Sequence, residues 1–117
     1  MKIERHELLT LMQFHIGVEH AVTVERLVLE FRAQYAPRRC TARDVRALVQ
    51  ELRLEGQHIC AHPRCGYFMA ATPSELDETC QFLRHRALSS LKQISAMTRV
   101  SLPDLVGQDR FLLGSST

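Results

Sequence analysis

Residues 41–56, TARDVRALVQELRLEG, constrain the fold more than any other stretch of this chain. Val45, Leu48, Val49 and Leu52 recur at three- and four-residue spacing, which gathers them on one side of an α-helix. Thr41 followed three residues later by Asp44 has the form of a capping box, with Asp where Glu or Gln is usual, and Gly56 ends the pattern. Measured from Val45 at about 100° per residue, the other three apolar side chains lie within about 60°. Arg43, Arg46, Gln50 and Arg53 fall between about 80° and 160°, and Asp44, Glu51 and Glu55 between about 240° and 280°. The helix therefore has a core face, a basic flank and an acidic flank.

Two helices are expected before it and a hairpin after it. In IERHELLTLMQFHI, residues 3–16, the positions of Leu8, Leu9, Met12 and Ile16 predict an amphipathic helix ending at Gly17. Thr23 is placed to cap a second helix that buries Val24, Leu27, Val28 and Phe31 and runs to about Ala33. Pro37 in QYAPRRC then interrupts the pattern, because it has no amide hydrogen and biases Ala36 away from helix. Beyond Gly56, the β-prone segments HIC and GYFMA flank AHPRC, where Pro63 can open a turn, so a β-hairpin is predicted. Three helices followed by a hairpin is the order of a winged helix-turn-helix, expected over residues 1–72 within a mainly α chain.

A long C-terminal helix is expected over 73–99. Thr72 stands at its N-cap, Pro73 at its first position and Glu75 in its first turn. Leu76, Cys80, Leu83, Ala87, Leu91, Ile94 and Thr98 share one stripe. A helix of about 25 residues spans about 38 Å, more than one winged-helix core covers. Part of the stripe, at Leu83, Ala87, Leu91 and Ile94, is therefore expected to pack against a second copy, giving a homodimer. Residues 100–117 are punctuated by Pro, Gly and Ser and read as a flexible tail.

At 117 residues and 45% hydrophobic, the chain suits one domain with an appendage. Its formal net charge is only +2, so a polyanionic partner must be argued from the placement of charges rather than their sum. In a helix-turn-helix the N-terminal part of the third helix enters the major groove, where Arg pairs with guanine and Gln with adenine. Thr41, Arg43, Arg46, Gln50 and Arg53 are the candidates on this helix. Arg38 and Arg39 precede it and are placed to grip phosphates, and Arg64 at the hairpin tip is placed to reach an adjacent groove. No signal-peptide pattern or membrane-length apolar run is present, so a cytoplasmic protein with reduced cysteines (Cys40, Cys60, Cys65, Cys80) and no membrane partner is expected.

The hairpin segment GQHICAHPRC places His58, Cys60, His62 and Cys65 within eight positions, residue types that zinc accepts. Structural zinc sites usually separate two ligand pairs by a longer loop, and ligands at i and i+2 on one strand diverge poorly for a tetrahedron. The alternative makes Cys60 and Cys65 half-buried apolar groups and His58 and His62 exposed polar positions, with no metal or other cofactor; that reading is preferred. Catalysis has little support. There is no Gly-rich phosphate loop, no paired metal-binding carboxylates and no nucleophile elbow, and the six histidines show no HExxH spacing, so the chain reads as a non-enzyme.

Three stretches, TARDVRALVQELRLEG, GYFMAATPSEL and LRHRALSSLKQISAM, resemble in order and spacing a family of small winged-helix proteins encoded by phages and prophages. The likeness covers about residues 3–100. It implies a winged-helix fold and a DNA-binding role in transcription regulation or DNA replication, with Arg43, Arg46 and Gln50 on the recognition helix and Arg64 in the wing. Tyr67 and Phe68 then lie on the strand leading into the long helix, where at least one should pack the sheet onto the core. The His- and Cys-rich wing departs from the family pattern. A competing expectation makes the winged helix a docking module for replication or transcription proteins. The tail sequence QDRFLL, with Gln108, Phe111 and Leu113, loosely resembles the short peptides by which bacterial replication proteins hold the sliding clamp.

Overall fold

The computed structural model describes residues 3–98. Its order is α1 (Arg5–Met12), a short 3-10 turn (Val18–His20), α2 (Val24–Tyr35), α3 (Ala42–Leu54), β1 (Ile59–His62), β2 (Gly66–Met69) and α4 (Pro73–Thr98). The chain is thus mainly helical, a winged helix-turn-helix followed by a long C-terminal helix. It divides into two compact units, Met1–Thr79 and Cys80–Thr117, with the division inside α4.

The helix starts follow from their caps. Thr23 Oγ1 accepts the Arg26 amide at 3.2 Å at the start of α2. At α3 the capping box is complete: Thr41 Oγ1 accepts the Asp44 amide at 3.1 Å, and the Asp44 carboxylate accepts the Thr41 amide at 3.0 Å. Each helix then turns its apolar stripe inward. Leu8 and Met12 of α1, Leu27 and Phe31 of α2, and Val45, Val49 and Leu52 of α3 are almost fully buried, with Ile59 of β1 beside them. Burying one such side chain is worth about 1.5–3 kcal/mol, which is why this stripe pattern decides the fold.

The hairpin pairs Ile59 with Met69, Cys60 with Phe68, Ala61 with Tyr67 and His62 with Gly66. Phe68 is buried at 4% exposure and Tyr67 is partly buried against the core, so the pair does pack the sheet onto the helices.

The first helix is shorter than the spacing predicts. It ends at Met12, and the segment after it becomes an edge partner for β2. The Met69 amide donates to the His15 carbonyl at 2.8 Å and the Gly17 amide to the Met69 carbonyl at 2.8 Å, while Val22 and Tyr67 exchange two hydrogen bonds. Ile16 therefore leaves the helical stripe and stands 43% exposed. Strand pairing satisfies these backbone groups, and local helical spacing carries no sign of it. The second helix runs two residues past expectation, to Tyr35.

The first turns of α4 are tied to the wing. The Glu75 carboxylate accepts the Ala71 amide at 2.8 Å and the Val18 amide at 3.1 Å, and Thr72 Oγ1 accepts the Glu75 amide at 3.2 Å. These amides hold the Glu75 carboxyl below its ordinary range, the Ala71 amide contributing most. Thr79 Oγ1, buried, accepts the Ala61 amide at 3.4 Å. No helix among the described residues is long and apolar enough to cross a membrane.

Candidate nucleic-acid interface

The two charged flanks of α3 meet different surroundings. On the acidic side, Arg5 of α1 reaches Glu51 at 2.8 Å and Glu55 at 2.7 Å. The hydrogen bond to Glu55, followed by the charges of Glu55 and Glu51, holds the Arg5 guanidinium above its ordinary value. Asp44 is engaged in the α3 cap. On the basic side, Arg43, Arg46 and Gln50 are exposed. Among the described residues neither arginine has an ion pair.

The wing brings a further arginine to this side. A groove of about 290 Å³ is lined by Arg46 of α3, by His62, Pro63 and Arg64 of the hairpin turn, by Ala61, Gly66 and Tyr67 of the strands, and by Thr23, Val24 and Glu25 at the start of α2. α3, the hairpin turn and the N-terminus of α2 thus share one concave surface. Its shape depends on Gly66, which has φ of +102° and lies so close to the edge segment that a Cβ would sit 2.2 Å from the Val22 carbonyl oxygen. Only glycine tolerates both the backbone conformation and that approach.

Two of the arginines read from the sequence are occupied by the fold. Arg38 grips the buried Glu7 carboxylate with both terminal nitrogens, Nη2 lying 2.9 Å from Oε1, and its guanidinium lies 5.3 Å from the centre of the Phe31 ring. Its side chain is 28% exposed. Hydrogen bonding to Arg38 is the main cause that holds the Glu7 carboxyl below its ordinary range, against the opposing effect of burial. Arg53 Nε donates to the Ile59 carbonyl at 2.8 Å, tying the end of α3 to β1. Arg39, Thr41 and Arg64 are exposed, as are Arg43, Arg46 and Gln50. Sequence reasoning missed the contributions of Thr23, Glu25 and Tyr67 to the groove, because these depend on how the start of α2 and β2 are placed beside the hairpin turn, which local spacing does not show.

The cysteine and histidine cluster of the wing does not converge. Cys60, opposite Phe68, is fully buried, with Sγ 3.6 Å from the Glu75 carbonyl oxygen, whereas His58, His62 and Cys65 are exposed. The expectation that Cys65 is half-buried is corrected: it sits in the turn between the strands, where no core faces it. Among the described residues no three His, Cys, Asp or Glu side chains are grouped to hold a metal ion. Cys40 is buried, and that burial, followed by the charges of Asp44 and Glu7, pushes its thiol up and away from the reactive thiolate form.

Along α4, Leu83 and Ile94 are each 40% exposed, Ala87 is exposed and Leu91 half-buried. Cys80, placed on the apolar stripe by its spacing, is exposed as well. The expected clamp-binding residues Gln108, Phe111 and Leu113 lie outside the described residues. No family model matches the chain, and neither the curated proteins nor the solved structures compared with it contain a match.

Proposed function

We propose that the protein is a non-enzymatic binder of double-stranded DNA, acting in transcription regulation or DNA replication in a phage or prophage setting. The observation that carries the reading is the shared groove: Arg46 on α3 and Arg64 on the wing line one surface, while the opposite flank of α3 is partly offset by Arg5. Arg43, Arg46 and Gln50 read base edges from the exposed side of α3, and Arg39 and Arg64 hold phosphates. Arg38 and Arg53 serve indirectly, by fixing the start of α3 to α1 and its end to the wing.

The test is a titration of fluorescent random-sequence duplex by anisotropy over a series of salt concentrations, beside an Arg43→Ala/Arg46→Ala double variant. Counterion release gives a log–log slope of about −0.9 per phosphate neutralised, so docking of this surface weakens steeply with salt. The double variant should bind at least about tenfold more weakly, because on a random-sequence duplex both arginines act as cations that displace phosphate counterions. Absence of binding by the wild type at low salt defeats the reading.

A second reading makes the winged helix a docking module for a replication or transcription protein. The net charge of +2 and the exposed apolar side chains of α4 favour it. Under that reading the double variant binds a partner protein as well as the wild type does.

A further inference from the structure

Of the six histidines, five are exposed and His15 alone is covered. Its side chain is 13% exposed, and both ring nitrogens have partners. Nδ1 lies 2.9 Å from the His20 carbonyl oxygen, and Nε2 lies 2.9 Å from Oε1 of Glu30 on α2. A backbone carbonyl only accepts hydrogen bonds, and so does an ionised carboxylate. A neutral imidazole has one N–H and can serve one of these oxygens. Only the imidazolium, with two, serves both.

The ring stands where the wing is attached to the helices. Residues 15–22 form the edge segment that pairs with β2 through the Gly17, Val22, Tyr67 and Met69 amides, and the segment leads into the Thr23 cap of α2. From the start of that segment the ring reaches forward to its end, at His20, and across to the middle of α2, at Glu30. Arg26 lies 3.8 Å from the other Glu30 oxygen and leaves Oε1 to the ring. Along the segment, the Glu19 side chain sits beside Gly17, and the Glu75 carboxylate of α4 accepts the Val18 amide. Tyr67 faces Val22 from β2, and His20 is itself exposed.

We infer that His15 is a pH-dependent clasp: carrying both protons it fastens the edge segment to α2, and loss of one proton frees one of its two contacts and loosens the attachment of the wing. In the unfolded chain the ring meets neither oxygen and holds the second proton less firmly. The contribution of the clasp is therefore present in mild acid and fades as pH rises through the imidazole range of about 5 to 8. Because the Val22 carbonyl packs on Gly66 and Thr23 follows directly, the clasp also steadies one wall of the groove beside Arg46 and Arg64. It acts on the fold whether or not the groove binds DNA.

Melting temperatures of the full chain and of His15→Gln, measured from about pH 5.5 to about pH 8.5, test the clasp first. The wild type should melt several degrees above the variant at the acid end, and the gap should shrink by about half or more at the alkaline end. The five exposed histidines are common to both proteins and cancel from the difference. A gap that stays flat or widens with pH shows a purely structural ring and overturns the inference. Glu30→Gln keeps the ring and removes the charge it faces, so its gap from the wild type should shrink with pH in the same way; a flat gap here overturns the inference even if His15→Gln does not fold. Native-state hydrogen exchange at about pH 6.5 then locates the effect. Protection of the Gly17, Val22, Tyr67 and Met69 amides should fall about tenfold in either folded variant, with amides inside α3 little changed. Unchanged protection at these four amides, or an equal loss throughout the domain, overturns the assignment of the clasp to the edge segment.

Discussion

The two flanks of α3 carry similar numbers of charged groups, yet one is closed and the other open. Glu51 and Glu55 are held by Arg5 from α1, and Asp44 is spent on the helix cap. Arg43 and Arg46 look outward, and the wing adds Arg64 to the same side. A wheel drawn on the sequence shows the two flanks as mirror images. Packing breaks that symmetry, because α1 supplies a cation to one side and, among the described residues, no element supplies an anion pair to the other. Thus a chain with a net charge of only +2 still presents a locally cationic surface.

The comparison is broken most severely by removing the wing from the basic side. Gly66→Ala forces a Cβ onto the Val22 carbonyl and a side chain into a left-handed backbone. The cost is about 3 kcal/mol or more, read as a lowered urea midpoint, and DNA affinity should fall with it because Arg64 loses its placement beside Arg46. A midpoint equal to that of the wild type would show that the approach of the edge segment is not as close as described.

Next in size is a direct test of flank against flank. Arg43→Ala/Arg46→Ala should reduce the steepness of the salt dependence by about one unit or more and weaken binding at least about tenfold. Glu51→Gln/Glu55→Gln should change affinity by less than about threefold, since both carboxylates already face Arg5 and exposed pairs contribute little. Equal effects of the two double variants would mean that the asymmetry has no bearing on binding. Arg5→Ala sharpens the same point: it uncovers two carboxylates on α3 and should weaken DNA binding by about twofold to threefold at low salt, an effect that fades as salt is added.

The basic flank, the helix caps and the hairpin were legible because each rests on local chemistry: Thr41 with Asp44, the spacing of Val45 to Leu52, Pro63 between two β-prone runs. What stayed hidden depends on distant partners. Nothing around Arg38 announces Glu7, thirty-one residues earlier, as its partner. Ile16 fits a helical stripe equally well until β2 offers its Met69 backbone to the neighbouring residues. Cys60 and Cys65 look alike in sequence, and only the hairpin register separates a buried residue facing Phe68 from an exposed one in the turn. Arg43 and Arg38 illustrate the same limit, since residue type fixes the charge whereas tertiary packing decides whether that charge is free.

The smallest effect concerns that occupied arginine, and pH isolates it. The Glu7 carboxylate accepts hydrogen bonds from Arg38 and from the Glu4 amide at 2.9 Å, and these hold its carboxyl below the usual range despite burial. In the unfolded chain the same group titrates near about 4.3, so the unfolded state binds the proton more readily than the folded one. The contribution of the pair is therefore fully present above that pH and is lost as pH falls toward and through the lower folded value. Glu7→Gln removes the titration. Its melting temperature should lie below that of the wild type at pH 7 and approach it in acid, so the two curves converge below about pH 4. Curves that stay parallel from neutral pH to about pH 2.5 would remove the coupling from Glu7. The half-buried Arg38–Glu7 pair should also keep its effect in added salt that silences the exposed Arg5 pairs, which separates a charge held to build the start of α3 from charges that merely shade its surface.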